Sequence, residues 1–288
     1  MFCLAFCISQ QYSCTGSLSV CPKQHKKGRA KLTLFFVCIT ALLVGSFLNV
    51  CIYRIPKNKS IVAPPSSCGS CDTRLGALDL VPVLSYVFSK GMCRHCGAKY
   101  SPRYMIVELL NAALWTILYL ELGLTVIFVF YAFITSVLVV ITFIDFDFKI
   151  IPDRLNVSLL VVGIIFNLLL FWFTCAQSTG RFDFIIDGFI GFLIGGLLFL
   201  AIAVVTGAMG GGDIKLMAVL GLILGWQSIL LITLLSFVIG AVISLILLIT
   251  KIKGRKDEIP FGPFIALATY ITILFGQEII NYYLLTMF

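Results

Sequence analysis

The chain has 288 residues, 60% hydrophobic and only 12% charged, with a formal charge of +8. Soluble domains carry about 25% charged residues, so a water-soluble globule is excluded and a polytopic membrane protein is expected. In such a protein basic residues chiefly set orientation, so the positive balance does not point to a nucleic-acid partner.

In chain order, residues 1–31 come first, with Cys3, Cys7, Cys14 and Cys21 and a basic cluster of Lys23, Lys26, Lys27, Arg29 and Lys31. The basic cluster follows the apolar part instead of preceding it, which makes a poor secretory signal. The expectation is an unstructured tail from an over-extended gene start; an interfacial anchor or a cleaved signal are the alternatives. Apolar blocks then run at 32–53, 105–122, 125–144, 155–174, 184–206, 214–226, 227–249 and 261–285. Stretches of about 20 apolar residues cross a bilayer as helices. The fold class expected is therefore all-α, with about eight transmembrane helices in the lipid bilayer. The block at 214–226 is short and follows Gly210, Gly211 and Gly212. A broken or shallow helix is expected there, since irregular backbone at membrane depth must pack on protein or line a cavity.

Residues 54–104 form the sizeable polar stretch between the first two blocks. About 50 residues cannot build a robust core without a staple. The staple is legible as Cys68-Gly-Ser-Cys71 and Cys93-Arg-His-Cys96. Two such knuckles, with about 20 residues between them, match a four-thiolate zinc site, closed and therefore structural. His95 lies inside a knuckle and is expected to point away. Disulfide pairing is the competing reading, and a reducing cytoplasm disfavours it. Orientation supports a cytoplasmic loop. With eight spans, fifteen of the 21 lysines and arginines fall on the side of the 54–104 loop, the side that the positive-inside rule assigns to the cytoplasm. The basic tail residues fall on the opposite side and conflict with the rule.

Two segments carry acids beside membrane. Asp145, Asp147 and Asp153 close the third block in the run Phe143-Ile144-Asp145-Phe146-Asp147-Phe148-Lys149-Ile150-Ile151-Pro152-Asp153. Asp213 opens the sixth after the run of glycines. Each acid alone could be merely interfacial, or a helix-start acid favoured by the dipole. Together they lie at cytoplasmic ends of spans and can meet at one depth. Two adjacent carboxylates do not readily both ionise, so one keeps a proton. The ionised group can take a proton from water while the other polarises a peptide carbonyl, which is aspartic-peptidase chemistry. A transporter using these acids as ion or proton sites is the alternative, but it leaves the glycines and the cysteine loop unexplained. Residues two apart on a helix point about 200° apart, so Asp145 and Asp147 do not share one cavity. Asp153 follows Pro152 and reads as an N-cap, and Asp145 lies nearest the membrane.

These residues resemble the type IV prepilin peptidases, membrane aspartic peptidases of the GxGD type. Gly45-Ser46-Phe47-Leu48-Asn49-Val50 and Arg54-Ile55-Pro56 are similar to the family's opening signature. So are the cysteine segment, Ser101-Pro102-Arg103-Tyr104 and Glu108. The run ending Pro152-Asp153 is similar to the first catalytic motif, whose acid lies eight positions before the aspartate after the proline, at Asp145. Gly210-Gly211-Gly212-Asp213-Ile214-Lys215 is similar to the second, and Pro260-Phe261-Gly262-Pro263 to the closing motif. The resemblance implies that Asp145 and Asp213 are catalytic, supported by Asp147, Gly210, Gly212 and Lys215. It implies a pilin or pseudopilin precursor as substrate, cut after the glycine that ends a basic leader, at the cytoplasmic face of a bacterial inner membrane. It also implies N-methylation of the new terminus with S-adenosylmethionine. The division expected is a tail at 1–31, a first membrane helix at 32–53, a zinc-binding, methyl-transferring loop at 54–104 and a peptidase domain at 105–288. A cysteine-rich tail and a short 207–213 loop depart from the family.

Overall fold

The computed structural model describes residues 27–175, 183–207, 209–251 and 259–287. Most of the expected tail lies outside them, but its last five residues are already helical. Helix α1 spans Lys27–Arg54. The polar loop follows, with a 3-10 turn at Ala77–Asp79 and a short helix α2 at Leu84–Phe88. Then come α3 (Arg103–Leu122), α4 (Val126–Phe148), α5 (Asp153–Cys175), α6 (Asp183–Thr206), α7 (Gly211–Leu224), α8 (Trp226–Ile249) and α9 (Gly262–Met287). Among the described residues there is no strand, only isolated bridges at Ser67–Arg74 and Met92–Lys99.

Seven of these helices are long and apolar enough to cross a membrane. The eighth block expected from the sequence is α7, with only 14 residues. At about 1.5 Å per residue it falls well short of a hydrocarbon core about 30 Å thick. It survives at depth by packing on protein. Leu216, Met217 and Leu220 are fully buried, and α6 lies antiparallel against it through glycines. A Cβ at Gly188 would sit 2.7 Å from the Leu222 carbonyl oxygen. Cβ atoms at Gly191 and Gly195 would strike the carbonyls of Gly221 and Met217. Small residues let helix backbones touch where lipid offers no hydrophobic drive, leaving van der Waals contact as the main attraction. On its other side α7 runs parallel to α5, with the Asn156 amide donating to Gly212 O at 3.3 Å and the Asn167 amide to Leu222 O at 3.3 Å. It stops at Gly225, whose φ of +83° reverses the chain into α8.

Helix α4 is the centre of the bundle. The most apolar stretch of α4 is 67% buried, against 22–44% for the other six long helices. Its start is capped by Thr125, whose hydroxyl oxygen accepts the Phe128 N–H at 3.1 Å. A polar seam ties α4 to α3 and α1: the Asn111 amide donates to Ala41 O at 2.7 Å, and the Ser136 hydroxyl donates to Asn111 Oδ1 at 3.0 Å. Trp115 Nε1 donates to the same hydroxyl at 3.0 Å. Such interhelical bonds contribute on the order of 0.6 kcal/mol each within a membrane. Gly45 lets α1 approach α3 closely, since a Cβ there would stand 2.8 Å from the Glu108 Cα. Outward-facing Phe35, Phe36, Leu197, Val204, Val205 and Leu285 form the apolar exterior expected to meet lipid.

Candidate functional site

The cysteine loop is built from two matching knuckles. In the first, the Cys68 N–H donates to Thr73 O and the Asp72 N–H to Cys68 O, both at 2.9 Å. In the second, the Cys93 N–H donates to Ala98 O at 2.8 Å and the Gly97 N–H to Cys93 O at 2.9 Å. Asp72 and Gly97 occupy equivalent left-handed positions, φ +54° and +71°, which turn each chain back on itself. The isolated bridges close the two knuckles. All four sulfurs lie within 4.8 Å of one another, and Cys68 Sγ is 3.8 Å from Cys96 Sγ. Tetrahedral coordination at about 2.3 Å per sulfur separates the sulfurs by about 3.8 Å, so the donor set fits a single ion. All four are free thiols. The Tyr100 hydroxyl, with the Cys96 and His95 backbone, holds the Cys93 thiol down at about 6. The Ala98 amide pulls Cys96 down, yet desolvation and the neighbouring sulfurs outweigh it and push that thiol up to about 11. Four clustered sulfurs cannot all become thiolates without a cation among them. His95 is exposed and outside the cluster.

The acids meet across the bundle. Asp145 sits in the last turn of α4, only 5% exposed. Its Oδ2 accepts the Gly262 N–H at 2.8 Å, at the first residue of α9. A Cβ at Gly262 would lie 2.7 Å from that oxygen, so only glycine lets the amide approach. Phe261 anchors this turn among Phe199, Phe237 and Phe264, with ring centroids 5.3–6.1 Å away. Asp213 lies in the first turn of α7, and its Oδ2 accepts the Gly210 N–H at 3.2 Å. The two carboxylates stand close enough to sense each other's charge. Gly212 closes the gap between the motifs: a Cβ there would lie 2.8 Å from Ile151 Cβ and 3.1 Å from Ile151 O. Each acid thus has one oxygen held by a glycine amide.

The remaining acids are engaged elsewhere. Asp147 pairs with Arg103 at 2.7 Å, while the same guanidinium donates to Phe143 O at 2.9 Å and lies over the Phe143 ring. Asp153 is the first residue of α5 and not its cap, because Pro152 already occupies the position before the helix. Its carboxylate takes Lys215 at 2.7 Å, with both side chains more than half exposed. Lys215 therefore ties the starts of α5 and α7 together, apart from the Asp145 side chain. Gly262 was seen in the sequence only as part of a motif. The Pro-Phe-Gly-Pro turn before the last block was the available signal, but its partner lies 117 residues away.

The description "Bacterial Peptidase A24 N-terminal domain" matches residues 39–122, and "Type IV leader peptidase family" matches residues 132–245. A protein of Aeromonas salmonicida named prepilin leader peptidase/N-methyltransferase is 35% identical over 277 residues, 87% of this chain and 93% of the relative. Proteins of the same name from Bacillus subtilis and Pseudomonas aeruginosa are 34% and 32% identical, covering 87% of this chain in each case and 98% and 93% of the relatives. No solved structure matches the chain. With a helical membrane bundle, a four-cysteine loop and facing aspartates in place, the chain belongs to the type IV leader peptidase family.

Proposed function

We propose that this chain is a prepilin leader peptidase that also N-methylates its product, acting at the cytoplasmic face of a bacterial inner membrane. Its substrates are type IV prepilin or pseudopilin precursors, cut after the glycine that ends a basic leader. The observation that carries the reading is the pair of carboxylates, Asp145 and Asp213, each pinned through one oxygen by a glycine amide. Pinning leaves the other oxygen of each for water and substrate. One carboxylate takes a proton from the attacking water, while the protonated partner donates to the scissile carbonyl. Gly210 and Gly212 position Asp213. Asp147, held by Arg103, and Lys215, held by Asp153, support the acids from outside the pair. The transporter alternative draws no support from the family or its relatives.

Labour divides along the chain. The helices of 105–288 carry cleavage, and the 54–104 loop carries methyl transfer, with S-adenosylmethionine supplying the methyl group. Cys68, Cys71, Cys93 and Cys96 hold a structural Zn2+ that fixes the loop. The test is cleavage of a model prepilin by the purified chain in detergent, followed by methylation of a pre-cleaved pilin by Asp213→Asn. Cleavage by the unmodified chain is expected, and Asp213→Asn is expected to methylate without cleaving. Failure of well-folded protein to cleave would reject the peptidase reading.

A further inference from the structure

The polar stretch at 54–104 carries a contiguous run of exposed apolar side chains. Leu78, Leu84, Val87 and Phe88 are 70%, 52%, 57% and 75% exposed. The last three belong to α2, which buries none of its five residues. The segment has two faces. Ser85, Tyr86 and the following Ser89 line a cavity of about 780 Å³ between α1, α3 and the cysteine loop, together with Glu108. Leu84, Val87 and Phe88 face outward. An apolar patch on an otherwise polar surface marks a contact with protein or membrane. We propose that α2 is an interfacial anchor: Leu84, Val87 and Phe88 dip into the boundary between headgroups and acyl chains and hold the cysteine loop against the bilayer. This lipid contact goes beyond the peptidase and methyl-transfer reading and is independent of it.

Height in the bundle selects lipid as the occupant. Val83, the residue before α2, donates its N–H to Glu108 Oε2 at 2.7 Å. Glu108 is buried, five residues inside α3 and so about 8 Å along its axis. Its Cα lies beside Gly45, nine residues before the end of α1. Both helices are long and apolar enough to cross a membrane. A helical side chain leans toward the start of its own helix, so the tether holds α2 level with the first turns of α3. The bundle surface at this height is apolar as well, with Phe47 of α1 and Ile106 of α3 half-exposed. The tether is also firm. Val83 is β-branched and held at φ +60°, a conformation that such a side chain resists, and the Glu108 bond fixes it there.

Charge agrees with the position. Residues 54–104 contain eight lysines and arginines against two acids, Asp72 and Asp79. Lys90 lies two residues beyond α2 and is exposed. Anionic headgroups attract a surface of this sign. Apolar side chains inserted about 5–10 Å deep, with basic ones left among the headgroups, are the usual makeup of a membrane-surface contact.

Tryptophan fluorescence of the full chain in phosphatidylglycerol nanodiscs tests the anchor. Phe88→Trp adds one emitter to Trp115, Trp172 and Trp226, whose signal is subtracted with the unmodified chain. Lipid brominated near the headgroup is expected to quench at least about half of the added emission, and lipid brominated near the chain end less, as a shallow insertion requires. The added emission is also expected to be shielded from acrylamide. Emission open to acrylamide and untouched by either lipid would place α2 in water and overturn the anchor. Emission shielded from acrylamide yet untouched by bromine would mean that a second copy covers α2, and stronger quenching from the chain end would mean burial beyond the boundary; each overturns it too. A second readout needs no variant. A phospholipid with a diazirine in its acyl chain is expected to label the unmodified chain within residues 84–88, and label on α1 and α3 with none there would overturn the anchor. Neither measurement reads prepilin cleavage, so the peptidase reading stands or falls separately.

Discussion

At the scale of single residues, two aspartates two positions apart face different partners. Asp145 is buried against the Gly262 amide, whereas Asp147 is exposed and bound to Arg103. Asp145→Asn is expected to lower prepilin cleavage by about 10²–10⁴-fold, the usual weight of a general acid or base. Asp147→Asn loses an ion pair of about 1 kcal/mol and is expected to keep at least about a tenth of the activity. Cleavage by both variants at matched membrane levels separates them; the reverse pattern would exchange their roles. Gly262→Ala adds a Cβ 2.7 Å from Asp145 Oδ2. Overpacking of this kind costs about 1–3 kcal/mol, so cleavage is expected to fall about ten-fold or more. An alanine variant with unchanged kinetics would show that the amide contact is dispensable. The acids and glycines themselves were legible as motifs. Gly262's partner was not, because nothing local to a Pro-Phe-Gly-Pro turn says which side chain its amide will meet.

At the scale of elements, α7 is the anomaly, a 14-residue helix that carries a catalytic candidate at its first turn. Its depth and orientation depend on α6, through backbone contact at Gly188, Gly191 and Gly195. Gly191→Val is expected to push the helices apart, lower the thermal midpoint and reduce cleavage together, because Asp213 moves with α7. A scanning measurement of unfolding beside the cleavage assay checks this; a stable, inactive variant would contradict it. The short block and its glycine entry were readable from the sequence, since length and composition are local properties. The glycines at 188, 191 and 195 passed as ordinary members of an apolar span until their neighbour was known. Pro152 points to an N-cap at Asp153, yet the helix starts at Asp153 itself, and its carboxylate goes to Lys215.

At the scale of the whole molecule, the cysteine loop and the bundle are stabilised by different physics. Structural zinc contributes about 10–16 kcal/mol of binding in small folds, while the bundle rests on helix packing in lipid. One zinc per chain is expected on metal analysis, and chelation is expected to expose residues 54–104 to proteases while the helical content persists. Metal-free protein with an equally protected loop would defeat the zinc assignment. The sequence by itself determined the membrane helices, the four-cysteine loop and the two acid motifs. Each of these follows from hydrophobic length, ligand spacing or residue chemistry within a short window. Only the tertiary structure decided that Gly262 holds Asp145, that Arg103 occupies Asp147, that Lys215 takes Asp153 and that a cavity lies under Glu108. Those pairings depend on how seven long helices and one short one cross and in what register, which is set by side-chain packing between segments far apart in the chain.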